Sequence, residues 1–176
     1  MAKQVSKTYG SALFEVAKEM QALDTILEEV LFVKQTFIEN EELYRLLLHP
    51  NIEKSEKIQV LEKIYKGRIS DEITGLMTML VDKGHVKDFV PVFDYVIQAI
   101  KEEKGIGVAY ITSAVALNDS QQKKIEQKLL ETTDYKAIEG VYQVDKSIIG
   151  GLVIRICDTV VDSSLKTQLD KLSKQL

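Results

Sequence analysis

The residues of this chain that could do chemistry are few, and most of them lie in its last third. The glycine pair Gly150-Gly151 is the nearest thing to a phosphate-binding loop. Such a loop needs backbone N–H groups at a helix N-terminus and usually a lysine, whereas this pair leads into a predicted strand. The glycines are better explained as a bulge or a close approach of two chain segments, where a side chain would clash. We therefore expect no nucleotide site.

Cys157 is the only cysteine, so it cannot form an internal disulfide. As a nucleophile it would need an activating base, but both histidines, His49 and His85, lie far away in the sequence and are expected in exposed loops. Two histidines and one cysteine also make a poor ligand set for zinc or iron. We expect an inert cysteine, no metal and no cofactor.

Three aspartates, Asp145, Asp158 and Asp162, could be imagined as a carboxylate cluster for metal binding or acid-base catalysis. Each lies at a predicted strand end or helix entry, where aspartate commonly forms turns and caps. Turn formation and capping are therefore the favoured interpretation. With these residues set aside, the sequence offers no catalytic constellation, and function must be inferred from architecture and partners.

The elements before these residues are helical. Hydrophobic residues recur every three or four positions over the first hundred residues, which predicts a six-helix bundle. Pro50 ends the third helix, because its ring disfavours helical geometry in the preceding residue. Pro91 is tolerable only in the first turn of the sixth helix. Ser70 is expected to cap the fifth helix, and Gly84 to close it in a left-handed conformation.

Near Gly105-Ile106 the hydrophobic period changes from 3.6 to 2, which predicts a domain boundary. Residues 106–176 then form a small α/β domain with a short sheet, and the protein as a whole is mainly α. A capping box at Asn118 and Gln121 begins a helix, Thr159–Val161 returns as the second arm of a hairpin, and Ser163 or Ser164 caps a last helix. Four leucines of that helix lie in line: Leu165, Leu169, Leu172 and Leu176.

Composition and charge exclude several classes of protein. The chain has 176 residues, 45% of them apolar and 28% charged, which is typical of a soluble globular protein. No apolar run is long enough to span a bilayer, and no signal-peptide block precedes the first acidic residue. The net charge is −4, with 14 basic against 18 acidic residues before position 106, so a nucleic-acid footprint is disfavoured. A cytosolic location is expected.

Four pieces of the sequence, in order along the chain, together resemble the delta subunit of bacterial F-type ATP synthase, counterpart of the mitochondrial oligomycin-sensitivity-conferring protein. The matching segments are Tyr9–Ala17, the leucines before Pro50 with Lys57 and Leu80–Gly84, then Ile111–Ala114 with Leu117 and Gln121, and finally Val144-Asp145, Ile148–Ile154, Val161-Asp162 and Ser164-Leu165. In the last segment the structural signature is Asp145, Gly150, Gly151, Asp162 and Ser164.

The resemblance implies a peripheral-stalk subunit without catalysis of its own, bound at the cytoplasmic face of the cell membrane without inserting into it. Residues 1–105 would bind N-terminal helices of the alpha subunits on the catalytic head, and residues 106–176 the end of the membrane-anchored b subunits. By analogy, a groove between the first and fifth helices would bind the alpha-subunit helix. Its candidate residues, some of which must instead be core, are Tyr9, Ala12, Leu13, Val16, Ile73, Leu76, Met77 and Leu80.

Two positions depart from the family pattern, and one alternative function stays open. His85 stands where the family usually has arginine, and Cys157 where it commonly has glycine before the hairpin aspartate. The hairpin turn is then expected to differ in type, with Asp158 in the left-handed position. The alternative is a helical adaptor or regulatory module of another assembly, with the C-terminal module used for dimerisation.

Overall fold

The computed structural model describes residues 2–156 and 159–173. The chain is mainly helical with a small four-stranded sheet near its end. It divides into two compact units, Met1–Ile100 and Lys101–Leu176, each with its own hydrophobic core. Five helices lie wholly in the first unit: α1 (Ala2–Glu19), α2 (Leu23–Glu39), α3 (Glu41–Leu48), α4 (Lys54–Tyr65) and α5 (Asp71–Asp82). A sixth helix, α6 (Phe89–Glu103), begins in the first unit and ends three residues past the boundary.

The core of the first unit is built from the periodic apolar rows that the sequence shows. In α2 the row is Ile26, Val30, Val33 and Phe37, all buried. Phe37 sits in an aromatic cluster, with its ring centroid 5.6 Å from that of Phe89 and 6.4 Å from that of Phe93. Because aromatic rings bury the largest apolar areas of any side chains, this cluster is the centre of the helical core.

The ends of α5 show one confirmed prediction and one wrong one. Gly84 has φ +77° and closes the helix as predicted, since its N–H donates to Val81 O and that of His85 to Leu80 O. Ser70 occupies the N-cap position, but its side chain makes no capping bond. Its N–H and hydroxyl instead donate to Glu29 Oε2 of α2, at 3.0 and 2.5 Å. A carboxylate from another helix thus accepts the hydrogen bonds that Ser70 donates at the start of α5.

Pro91 is the third residue of α6, in the first turn as predicted. A 3-10 turn at Val86–Asp88 precedes that helix.

The second unit is a mixed sheet with one covering helix. Its elements are β1 (Ile106–Ser113), α7 (Asp119–Thr132), β2 (Ala137–Val144), β3 (Leu152–Ile156), β4 (Thr159–Asp162) and α8 (Leu165–Ser173). The strand order is β2-β1-β3-β4, with β1 and β2 parallel and the other pairs antiparallel. The α7 helix makes the crossover between the parallel strands, as a parallel pair requires. The β3–β4 hairpin is confirmed, and its turn residues Cys157 and Asp158 lie outside the described residues.

One face of the sheet is covered by α7. On this face Ala109, Ile111 and Ile156 are buried under Ile125 and Leu129 of α7. The predicted capping box of α7 is present, with both Asn118–Gln121 bonds formed.

The α7 helix is also tied to the sheet by a polar contact. The Tyr142 hydroxyl donates to Glu126 Oε1 at 2.9 Å. Burial and this carboxylate together raise the pKa of Tyr142 to about 12. On the other face of the sheet, Tyr110 and its cross-strand neighbour Val141 are exposed.

Candidate partner-binding site

The structure divides the eight residues predicted for the groove into core and surface. Five of them are buried in the core of the first unit: Leu13, Ile73, Leu76, Met77 and Leu80. Tyr9 is half-buried, whereas Ala12 and Val16 are exposed, Val16 by 39%. The α1 and α5 helices pack directly on each other through the buried members. Only the three α1 residues are therefore left for a partner, and their role in binding one stays a prediction.

Two methionines outside the predicted set, Met20 and Met79, are also exposed. Met20 directly follows the last residue of α1, and its N–H donates to Val16 O at 3.0 Å, so the helical spacing continues to it. Met20 is 55% exposed, and Ala12, Val16 and Met20 form one row along α1 and its C-terminal end. Met79 on α5 is 51% exposed. The sequence could have indicated that Met79 is exposed, because Met79 falls outside the spacing of the buried α5 residues. We call Ala12, Val16 and Met20 the α1 row.

The end of α5 brings a histidine against α1. His49 is exposed as predicted. His85 lies in a loop as predicted, but it is half-buried rather than exposed. His85 Nδ1 lies 3.0 Å from Asp88 Oδ2, and its ring lies 6.1 Å from the ring of Tyr9. The left-handed turn at Gly84 brings His85 against the helices. The position of His85 in a loop after a glycine does not predict this contact. His85 thus lies beside Tyr9, the half-buried member of the predicted groove.

The glycine pair has the structural role predicted for it. Gly151 has φ +80°, and a Cβ at this position would collide with the carbonyl oxygen of Ser163. A Cβ on Gly150 would lie 2.8 Å from Leu165 Cδ1. The Leu165 N–H donates to Gly150 O at 2.9 Å, and Ser163 N to Leu152 O at the same distance. The chain entering β3 and the chain entering α8 therefore pass in close contact.

Asp162 and Ser164 complete this contact by starting α8. Asp162 accepts a hydrogen bond from Ser164 N at 2.8 Å and another from the Thr167 hydroxyl at 2.7 Å. Ser164 Oγ accepts from Thr167 N at 3.2 Å, so of the two predicted serines Ser164 is the N-cap. The bonds from Ser164 and Thr167 hold the pKa of Asp162 below its usual range. We call Gly151, Asp162, Ser164 and Thr167 the α8 clasp.

Asp145 starts the 3-10 turn at Lys146–Ile148 in a similar way, by accepting from Ser147 N at 2.8 Å. This bond lowers the pKa of Asp145. Capping is thus confirmed for Asp145 and Asp162, while Asp158 lies outside the described residues, as does Cys157. Within residues 2–156 and 159–173, no three His, Cys, Asp or Glu side chains come together as a metal site.

The last helix presents its leucines to solvent. Leu165, Leu169 and Leu172 are 45%, 55% and 58% exposed, while the fourth leucine of the predicted line, Leu176, lies outside the described residues. We call the three exposed residues the α8 stripe. Because large apolar side chains at helical spacing are normally buried, the stripe is a candidate contact for a partner.

Comparison with known proteins decides the family. The family model described as the ATP synthase delta (OSCP) subunit matches residues 5–176. The chain belongs to this family. It is 52% identical over 176 residues to ATP synthase subunit delta of Lachnoclostridium phytofermentans, covering 100% of this chain and 97% of that protein. It is 32% identical to the same subunit of Acetivibrio thermocellus over 165 residues, covering 94% and 93%.

A solved structure shares the fold of this delta-family chain. A chain in the cryo-EM structure of the Toxoplasma gondii mitochondrial ATP synthase hexamer matches with a TM-score of 0.82 at 21% identity. The match covers 97% of this chain and 96% of that one.

Family membership makes this chain a delta subunit of ATP synthase, a structural subunit rather than a catalytic one. This family membership rules out the alternative that the chain is an adaptor from an unrelated assembly. Among the helices that the structure describes, none has the length and apolar character needed to cross a bilayer. The exposed apolar surfaces of the α1 row and the α8 stripe are therefore candidates for contact with other subunits.

Proposed function

We propose that this delta-family chain is the peripheral-stalk connector of an F-type ATP synthase, joining the catalytic head to the membrane-anchored b subunits. The observation that carries the proposal is the division into two compact units, each with its own core and its own exposed apolar helix surface. A chain with two separate docking surfaces can bind two partners at once and so resist rotation of one against the other.

In the first unit, α1 to α6 act as the six-helix bundle of the family, and the α1 row binds an N-terminal helix of an alpha subunit. The row supports this because Ala12, Val16 and Met20 recur every four residues, which matches the apolar face of an amphipathic helix. The small side chain of Ala12 lets a second helix approach closely. Adaptable methionines at Met20 and Met79 suit such a contact.

In the second unit, the α8 stripe binds the end of the b subunits. The α8 clasp supports this role, because it fixes the start of a helix whose leucines stay exposed. The assembly then holds the chain peripherally at the cytoplasmic face of the cell membrane.

The test is a single charge on the α1 row. Ala12→Asp is expected to weaken binding of a synthetic alpha-subunit N-terminal peptide to the full chain at least tenfold, because the peptide would have to cover an unpaired carboxylate. Isothermal titration calorimetry measures the affinity, and circular dichroism should show unchanged helicity because Ala12 is exposed. Gln127→Glu is the matched control, since it adds the same charge at an exposed position of α7 in the other unit. Unchanged affinity in Ala12→Asp would disprove the α1 assignment.

A further inference from the structure

A cleft in the first unit lies away from the α1 row and has a chemistry of its own. It has a volume of about 340 Å³ and lies where α2, α3 and α4 meet. We call it the α2–α4 cleft; its lining residues are Thr36, Asn40, Glu42, Leu43 and Ile64. Two half-buried aliphatic side chains and three polar ones make this a mixed surface, suited to a ligand with an apolar stem and a polar end.

The charged group that the cleft offers is an acceptor. The Asn40 amide nitrogen already donates to Thr36 O at 3.0 Å, and the Thr36 hydroxyl to Phe32 O at 2.9 Å. The Glu42 carboxylate has no ion pair or hydrogen bond within the described residues. Its neighbour Glu41 is different, because its carboxylate pairs with Arg45 at 2.8 Å. The cleft therefore has an available negative charge.

The start of α3 does not reverse this charge. A helix N-terminus carries roughly half a positive charge. Glu41 and Glu42 together bring two negative charges to the first turn of α3, and Arg45 neutralises only Glu41. The first turn of α3 therefore carries a net charge of about −0.5, and the cleft favours a cation.

The surface beside the cleft is apolar and acidic. Phe32, Thr36 and Asn40 recur every four residues along α2, so Phe32 lies one helical turn from the cleft. Phe32 is 52% exposed. Glu28, also exposed, lies one turn before Phe32. An amphipathic segment with basic residues would complement this face in both polarity and charge.

We propose that the α2–α4 cleft binds an arginine or lysine side chain from an amphipathic segment of another ATP synthase subunit. The aliphatic stem lies on Leu43 and Ile64, the cationic head pairs with Glu42, and Phe32 contacts the segment's apolar side. This second docking surface rests on the proposed stalk function, because the partner belongs to the same assembly. It would attach the first unit to the complex independently of the α1 row.

The experiment measures binding of the full chain to ATP synthase depleted of its delta subunit, at low and high salt. Glu42→Gln is expected to weaken binding about tenfold at low salt and to reduce the salt dependence, because a charge-assisted contact is lost. Glu41→Gln is the matched control: it removes the same charge from the same helical turn but not from the cleft, and should bind as the unchanged chain does. Phe32→Ala should weaken binding at both salt concentrations.

The outcomes separate this proposal from the stalk function. If Ala12→Asp binds weakly and Glu42→Gln binds normally, the cleft proposal is wrong and the stalk function stands. If Glu42→Gln and Glu41→Gln weaken binding equally, the effect belongs to the overall charge of α3, which also overturns the cleft. If the unchanged chain fails to bind the depleted complex, the stalk function itself is wrong. Loss in Glu42→Gln with normal binding of Glu41→Gln supports the cleft.

Discussion

The two units of this chain are stabilised in different ways. The helical unit has a continuous core that draws side chains from every helix of α1 to α6, including Phe37, Phe89 and Phe93. In the second unit, the described core of the sheet contains three buried side chains, Ala109, Ile111 and Ile156. The remainder of the second unit depends on strand pairing, caps and the α8 clasp.

This difference suits the tasks proposed for the two units. A large apolar core makes the helical unit insensitive to what happens on its surface, so exposed rows such as the α1 row are available for partners. In the second unit a few hydrogen bonds around Gly151 and Asp162 decide where α8 points. We expect substitutions in the core to act through the free energy of unfolding, and those in the clasp to act on one helix.

The largest effect is expected from the aromatic cluster. Phe93→Ala should lower the free energy of unfolding of the helical unit by about 3–5 kcal/mol, because it removes a fully buried ring and leaves a cavity. Urea titration followed by amide NMR signals measures each unit separately. Phe32→Ala, at an exposed position, is the control and should change stability by less than about 0.5 kcal/mol.

The same titration tests the comparison between the units. Signals from β1 to β4 should keep their midpoint in Phe93→Ala, since the sheet has its own core. If the signals of the sheet and of the helices fell together, the two units would share one cooperative transition, and the contrast drawn between their cores would be wrong.

Much of the fold could be predicted because periodicity and capping are local signals. The row of Ile26, Val30 and Val33 and the capping box of α7 depend only on nearby residues, and both are present. The Ser70 cap could not be predicted correctly, because the competing Glu29 lies 41 residues away in sequence. Tertiary contacts of this kind are invisible to a local pattern.

The candidate site was harder to predict than the fold. An apolar face wider than the core shows the same spacing whether its members are buried or exposed. Leu13 and Val16 illustrate this, since both lie on the same apolar side of α1 yet only Leu13 is in the core. Which of them faces solvent depends on how α5 packs against α1, and the sequence does not specify that.

A smaller effect is expected from Gly151→Ala. The new methyl group would collide with the Ser163 carbonyl oxygen, and alanine is also less stable than glycine in a left-handed conformation. For both reasons β4 and α8 should lose about 2–4 kcal/mol of local stability. Hydrogen exchange of their amides measures it. Gly67→Ala is the matched control, because its φ of +77° is similar but nothing lies within 4 Å, so only the conformational cost of about 1–2 kcal/mol should appear.

Equal losses in the two glycine variants would show that the contact with Ser163 contributes nothing. The clasp would then consist of the hydrogen bonds of Asp162 and Ser164 alone.

The smallest effect is expected from the charge of Asp162. Its pKa is lower in the folded protein than the usual value of about 3.9, so its contribution is complete above that value and is lost as the pH falls through the folded pKa. The Cα chemical shifts of Lys166 to Gln168 should move toward coil values in acid, while those of α2 stay helical. Asp162→Asn should show the shifted values at neutral pH. If α8 stayed equally helical in that variant, the charge of Asp162 would contribute nothing to the clasp.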